Sequence, residues 1–280
     1  IKESFERASG EALEAFGDGT LYLERYIENA RHVEVQIAGD GQGNAVHFGE
    51  RDCSVQRRYQ KVVEEAPCVL MSDPLRKKLH KAAVKLVASL NYSNVGTVEF
   101  LFDVERDEFY FIEVNTRIQV EHPVTEQVTG YDLVKMQFRL AAGEENALPL
   151  QKAIGISRHA IECRLNAEDA YNNFAPSPGR IKEWSPAQGA GIRVDSHCYS
   201  DYLVPPFYDS MIGKIVVTGP DRLSTVRRLQ AALEDFRIEG LICNLQLLRE
   251  IVAHPDFENN SFHTRWLEQD MLPVFELAKK

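Results

Sequence analysis

Apolar positions along this chain alternate between two periods, and the changes of period mark out its elements. Phe5, Ala8, Ala12 and Phe16 recur at helical spacing, which predicts a helix over 2–16 ended by Gly17, Asp18 and Gly19, its apolar stripe a packing face. The runs TLYLERYI (20–27), HVEVQIAG (32–39) and AVHFGERD (45–52) predict strands, the last two joined as a hairpin by Asp40-Gly41-Gln42-Gly43-Asn44. Ser72-Asp73-Pro74 caps a helix to about Asn91, with Leu75, Leu79, Ala82, Leu86 and Leu90 as its buried face. Over 98–115, two aromatic-rich runs flank Glu105, Arg106 and Asp107 and predict a second hairpin. A helix over about 132–142 leads to the linker-like Gly143-Glu144-Glu145-Asn146. From Ile154 short strands and turns take over, with helices over about 223–236 and after Asn244, and the whole reads as α+β.

The second hairpin carries the chemistry. If its loop is centred on Arg106, Glu99 lies directly opposite Glu113. Two carboxylates about 5 Å apart repel by roughly 3 kcal/mol at an effective dielectric near 20, so something cationic should sit between them. Alternate strand positions then project Glu113, Asn115 and Arg117 together, and Gln119 and Glu121 join them if the backbone stays extended. Carboxylate and amide oxygens without a thiolate suit Mg2+ or Mn2+ shared with substrate phosphates. The plainer alternative is an exposed acidic face neutralised by Arg117 or a lysine. Against it, Phe100, Phe102, Phe109, Phe111 and Ile112 make both strands read as buried on both faces, where an uncompensated charge is expensive.

Composition narrows the classes. The 280 residues are 44% hydrophobic, enough for one large or two ordinary domains, and a net charge of -10 argues against nucleic-acid or anionic-membrane binding. Five scattered cysteines with no CxxC spacing read as reduced structural thiols of a reducing compartment. No run approaches 18 apolar residues, and the first residues, with neither Met nor a signal-peptide core, read as the interior of a larger protein. The glycines at 39, 41 and 43 read as a turn, since no helix with Lys or Ser/Thr follows them. Taken alone, His32 reads as a surface or capping histidine, and the basic run from Gln56 to Lys61 as a solvated face.

The segments EVNTRIQVEHPVTE (113–126), ERDCSVQRRYQKVVEEAP (50–67) and PPFYDSMIGK (205–214) resemble the biotin carboxylase family of ATP-grasp ligases, and the similarity extends over about 21–266. The resemblance implies a remnant of the lid subdomain over 1–26 and an ATP-grasp large subdomain with an antiparallel sheet over 27–146. A biotin carboxylase C-terminal α+β domain over 154–266 and a tail over 267–280, polar and partly helical, would follow. It implies ATP contacts from Glu24, Arg25, Tyr26 and Ile27 at adenine, from His32 at ribose, and from Gln56, Tyr59, Glu99, Leu101 and Glu113. Relatives usually carry Lys, Leu and His where this chain has Arg25, Ile27 and Tyr59.

By the same resemblance Glu99, Glu113 and Asn115 hold Mg2+ or Mn2+, while Lys61, Arg117, Gln119 and the Val120 amide cradle bicarbonate, with Glu121 as its base. Arg164 stabilises the biotin enolate with Arg117; on its own it would read as an ion-pair partner of Glu162 or Glu168. The activity implied is ATP- and bicarbonate-dependent carboxylation of biotin through carboxyphosphate, serving an acetyl- or propionyl-CoA carboxylase. Its partners would be a biotin carboxyl carrier protein, a carboxyltransferase and a second copy in a cytoplasmic homodimer. Family members also carry an N-terminal dinucleotide-like domain and a glycine-rich lid loop that these residues lack, so the chain alone is expected to be inactive. The competing readings are another ATP-grasp ligase of the carbamoyl-phosphate-forming kind, and a non-catalytic module that keeps only the fold.

Overall fold

The computed structural model describes residues 1–277; of the anticipated tail, 278–280 lie outside the described residues. Its frame is one eight-stranded antiparallel sheet. The strands of its first half are β1 (Ala30–Asp40), β2 (Ala45–Arg57), β3 (Gln60–Ala66), β4 (Ser93–Asp103) and β5 (Glu108–Asn115). β6 (His159–Asn166) and the strands Met211–Gly219 and Ile192–Asp195 complete it. Across the sheet the order runs Ile192–Asp195, Met211–Gly219, β6, β3, β2, β1, β4, β5, so β3 and β6 join the two halves of the sequence edge to edge.

Helices dock where alternation leaves an apolar face. Val33, Val35 and Ile37 of β1 and Val98, Phe100 and Phe102 of β4 pack against α2 (Asp73–Ser89), whose first turn is capped by the Ser72 hydroxyl accepting from the Leu75 amide. The buried stripe of α2 runs through Leu75, Leu79, His80, Ala83 and Val87; Ala82 and Leu86 are only half-buried and Leu90 is exposed, because the helix turns its 83/87 edge to the sheet. On the opposite face lies α3 (His122–Thr129), followed by α4 (Leu133–Ala141), capped by Asp132. In the second half Ile161, Cys163 and Leu165 of β6 pack with α5 (Arg222–Asp235) and α6 (Leu245–Ala253). Trp266, Leu267, Met271 and Phe275 belong to that same core, so this part of the tail, helical over Leu272–Leu277, packs through apolar residues.

Several expectations need correcting. Residues 20–27 form no strand; they run irregular and mostly exposed beside the sheet. The helix over 2–16 is present as α1 (Lys2–Phe16) with Gly17 as its left-handed cap, but none of its residues is buried. His32, read alone as a surface or capping residue, lies within β1 and is only 15% exposed. β5 is the edge strand, so Phe111 (56% exposed) and Ile112 (44%) face solvent instead of a second layer. The turn Arg58-Tyr59, both left-handed, joins β2 to β3 as a tight hairpin of the kind usually made by Asn-Gly.

The acidic hairpin pairs Glu99 with Glu113, by a different route from a loop centred on Arg106. Asp103 pairs with Glu108, so the turn over 104–107 is centred between Glu105 and Arg106, and a regular ladder would set Glu99 opposite Ile112. A bulge between the Phe111 and Glu113 pairings absorbs one residue and brings Glu113 back onto the face of Glu99. The backbone does not stay extended beyond Asn115: it turns through 116–120 into α3, with Glu121 as N-cap.

One buried charge ties the end of the chain to the first strand. Arg31 (1% exposed) donates to Asp52 at 3.1 Å and to the Asn260 carbonyl at 2.5 Å, its guanidinium 3.8 Å from the Phe262 ring centroid. Arg31→Met should leave Asp52 buried without its charge partner and lower stability by about 3–5 kcal/mol, read as a drop in the urea midpoint.

Candidate active site

On the face opposite α2, side chains of one register form a charged row across four strands. Arg51 on β2 pairs with Glu34 on β1, Glu34 with Glu99 on β4, and Glu99 with Glu113 on β5. Three carboxylates in adjacent cross-strand positions would repel one another strongly. Lys61, reaching in from β3, answers that repulsion: its Nζ lies 2.6 Å from Glu34 Oε2, 2.6 Å from Glu121 Oε1, 3.1 Å from Glu99 Oε1 and 3.0 Å from Gln119 Oε1. Arg51 holds the other Glu34 oxygen at 2.5 Å and bonds Gln36, Thr97 and Thr125.

The titration of these groups follows from the geometry. Burial alone would raise the Glu34 carboxyl, but Arg51 and Lys61 outweigh it and hold it down at about 2. Burial likewise favours a neutral Glu99, yet the His32 contact, Lys61 and the Gln119 hydrogen bond keep it well below the usual carboxylate range. For Lys61, burial is outweighed by the carboxylates of Glu34, Glu121 and Glu99, so the ammonium stays charged.

The cation anticipated between Glu99 and Glu113 resolves into several contacts. Lys61 and His32 Nε2, at 3.0 Å, approach Glu99 from the inner side. Between the two carboxylates stands the Asn115 amide, donating to Glu99 at 2.9 Å and to Glu113 at 3.1 Å. Turning that amide over presents its oxygen beside two carboxylates, an all-oxygen donor set that fits a hard divalent cation. The His32–Glu34–Glu99 and Glu34–Cys53–Glu121 groups also bring ligand atoms within 4.8 Å. Both share Glu34, whose oxygens Arg51 and Lys61 already hold, so the Glu99–Asn115–Glu113 edge is the open one.

At the inner end Glu121 Oε2 accepts from Arg164 Nη2 at 3.0 Å, and Arg164 Nε donates to Glu64 at 2.5 Å. Arg164 therefore pairs with neither Glu162 nor Glu168: its guanidinium reaches across the β3–β6 junction and under α3. Lys214 Nζ bonds the Val120 carbonyl at 2.6 Å and fixes the loop that leads into α3.

These side chains line one cleft of about 880 Å³. His32, Tyr59, Lys61, Glu99, Glu113, Asn115, Arg117, Gln119, Val120, Glu121 and Arg164 all border it, faced by Tyr202, Tyr208 and Met211 from the second half. Arg117 is exposed, and among the described residues its guanidinium donates to the Ile118 carbonyl alone, at 3.3 Å. Gln56 is buried behind His32, 3.0 Å from its Nδ1. Glu24, Arg25, Tyr26, Ile27 and Leu101 do not line the cleft. Leu101 shares the Glu99 face two residues along β4, and Arg25 reaches the Asp103 end of that face, 3.9 Å from its carboxylate. Sequence reasoning missed Glu34, Arg51, Glu64 and Lys214. Glu34 gave no signal, since it sits at a polar position of the alternating HVEVQI run.

Comparison with known proteins agrees with this geometry. Residues 1–149 match the family model described as carbamoyl-phosphate synthase L chain, ATP binding domain, and residues 162–269 match the biotin carboxylase C-terminal domain. A biotin carboxylase of Nostoc sp. is 48% identical over 95% of this chain and 59% of its own length. A pyruvate carboxylase component of Methanothermobacter thermautotrophicus is 46% identical over 95% of this chain and 54% of its own. The biotin carboxylase domain dimer of Hydrogenobacter thermophilus 2-oxoglutarate carboxylase, solved with MgADP, ADP and bicarbonate, superposes with a TM-score of 0.87 at 46% identity, covering 95% of this chain and 58% of that one. The chain thus spans between half and three-fifths of the length of these relatives. With both family models matching in order, and a sheet that carries the acidic row on one face, the chain belongs to the biotin carboxylase family of ATP-grasp proteins.

Proposed function

We propose that this chain carries the ATP-grasp and C-terminal parts of a biotin carboxylase, which uses ATP and bicarbonate to carboxylate biotin on a carrier protein through carboxyphosphate. The observation that carries the reading is the convergence of Lys61 and Arg164 on the two oxygens of Glu121, at 2.6 and 3.0 Å, in the same cleft as the Glu99–Asn115–Glu113 edge. We keep the division into 1–26, 27–146, 154–266 and 267–280; the break between 146 and 154 is supported by the interval between the two matched family models, one ending at 149 and the other beginning at 162.

Roles follow from position. Glu99, Glu113 and the Asn115 oxygen would hold Mg2+ or Mn2+, which when bound neutralises charge on the ATP phosphates during transfer. The strip from the 24–27 segment past Leu101 to Glu99 gives the nucleotide a path along one sheet face, with His32 and Gln56 beside it and Tyr59 at the cleft mouth. Bicarbonate is a planar oxyanion, and the Arg117 fork opens onto the cleft to match two of its oxygens. Lys61 has three N–H donors and four oxygens around it, so bicarbonate would replace its longer contacts, those with Glu99 and Gln119. Gln119 and the Val120 amide complete the cradle. Glu121 keeps lone pairs free on both oxygens and would take the bicarbonate proton, making that oxygen nucleophilic towards the γ-phosphate. Arg164, with Arg117, would stabilise the enolate oxygen of biotin.

A biotin carboxylase and a pyruvate carboxylase component resemble this chain at nearly equal identity, which supports the half-reaction common to both. In our reading biotin arrives on a carrier protein or domain and a carboxyltransferase takes the carboxyl group, with acetyl- or propionyl-CoA as the acceptor proposed from the sequence. Assembly as a homodimer is supported by the dimeric Hydrogenobacter domain. A cytoplasmic setting suits the thiols, and among the described residues no helix is long and apolar enough to cross a membrane.

In the full-length protein, Arg164→Ala should reduce biotin-stimulated ADP release by about 10²–10³-fold while bicarbonate-dependent ATP cleavage without biotin persists. Unchanged biotin stimulation would favour another ATP-grasp ligase. A second expectation concerns the anchor of Lys61. Glu34 is charged in the fold down to about 2, whereas its ordinary value is 4.5, so its stabilisation is full above that ordinary value and fades as pH falls through the folded one. Glu34→Gln should cost about 3 kcal/mol at neutral pH, with the gap from wild type closing on acidification in urea titrations.

A further inference from the structure

Glu64 on β3 stands directly opposite Glu162 on β6, on the face that α3 covers. Beyond Glu162 the next strand offers Val216, part of an apolar cluster with Ala66, Val124, Val128 and Ala160. Both carboxyls are buried, Glu64 at 1% and Glu162 at 0% exposed. Glu64 Oε1 accepts from Arg164 Nε at 2.5 Å, but its Oε2 and both oxygens of Glu162 meet no hydrogen-bond donor among the described residues. The charged groups facing the pair are Lys61 on β3, Arg164 on β6, Lys214 on Met211–Gly219 and Glu121 at the start of α3. None of those cations bonds Glu162: Lys61 is held by Glu34 and Glu121, Arg164 by Glu64 and Glu121, and Lys214 by the Val120 carbonyl.

Two ionised carboxylates at cross-strand distance would repel by roughly 3 kcal/mol even at an effective dielectric near 20, and one of them would be a buried charge without a partner. Burial pushes the Glu162 carboxyl well above the usual range, and the neighbouring Glu64 adds to the rise. Glu64 is also raised on balance, by burial and by Glu121, but less than Glu162 because Arg164 in direct contact favours its charged form.

We propose that Glu64 and Glu162 form a carboxyl pair with a single negative charge, the proton residing on Glu162, and that this pair is the positioning device aiming Arg164 at Glu121 and the cleft. Ionising Glu162 would place a second anion beside Arg164 and draw the guanidinium inward, away from Glu121. The consequence for turnover rests on the reading of Arg164 as the residue that meets biotin; the charge state of the pair does not.

Three measurements on the full-length protein test this. Infrared difference spectra at neutral pH should show the C=O stretch of a protonated carboxyl, lost in the isosteric Glu162→Gln; absence of the band, or its survival in the variant, overturns the assignment. Folded Glu162 keeps its proton above the ordinary value of 4.5, where the unfolded chain releases it, so wild-type stability falls with rising pH and the variant escapes that fall. The melting temperature of Glu162→Gln relative to wild type should therefore climb between about pH 5 and pH 8, and a constant difference overturns the proposal. Glu64→Gln should raise the biotin concentration for half-maximal ADP release by about tenfold or more, with biotin-independent ATP cleavage changed far less. Equal losses in both rates would mean a merely structural role and overturn the positioning. If Arg164→Ala leaves biotin stimulation intact while the band and the pH trend hold, the biotin reading falls and the single-charge pair stands.

Discussion

Everything in the cleft depends on one ammonium group shared among carboxylates. Glu34, Glu99 and Glu113 stand side by side across β1, β4 and β5, a sequence of like charges that a sheet would ordinarily exclude. Lys61 makes it tolerable by meeting Glu34, Glu99 and Glu121 together, while Arg51 closes the buried end of the row. The constraint works in both directions. The acids keep a buried lysine charged, and the lysine keeps buried acids charged, so none of them can be lost without leaving the others in dry surroundings with an unanswered charge.

That mutual dependence fixes the architecture around it. Lys61 comes from β3, whose tight turn from β2 brings the strand back in register beside Gln56, and β3 is also the strand on which β6 of the second half is laid. Glu121 comes from the N-cap of α3, a helix pressed against the same face and held by the Lys214 bond to Val120 and the Arg51 bond to Thr125. The site thus lies beside the β3–β6 pairing, and residues from both matched family models complete it.

The sequence disclosed the acidic hairpin, because two glutamates at matching distances from a short polar turn are conspicuous among phenylalanines. It disclosed the convergence of Asn115, Arg117, Gln119 and Glu121 as well, although the last two reach the cleft through a loop and a helix cap rather than by strand alternation. Glu34 stayed hidden because Val33, Glu34, Val35 and Gln36 alternate as any half-solvated strand does. Only the position of β1 in the middle of the sheet, with α2 on one face and α3 near the other, shows that both faces are covered. The bulge at Ile112 and the left-handed Arg58-Tyr59 turn carry no residue signature; both are imposed by pairing with neighbouring strands. The reading of 20–27 as a strand failed because a run of apolar and aromatic residues can equally line an irregular segment beside a sheet.

The charge inventory bears on the ligand proposed for the cleft. Glu34, Glu64, Glu99, Glu113 and Glu121 face it or lie just behind it, against Arg51, Lys61, Arg117 and Arg164. With the inner acids already paired, the residual negative charge falls at Glu113, the exposed end of the row on the edge strand. A nucleotide triphosphate approaching without a counterion would meet that carboxylate unscreened. One carrying a divalent cation would meet two carboxylates and an amide that can turn its oxygen outward, so in the proposed function the same acid that repels the free anion would serve as a ligand for the complex. The end proposed for bicarbonate has the opposite character, with Arg117 and Lys61 foremost. Under the proposed function, a cleft that runs from acid-rich to base-rich would keep the two reacting anions apart and hold each by a different kind of contact.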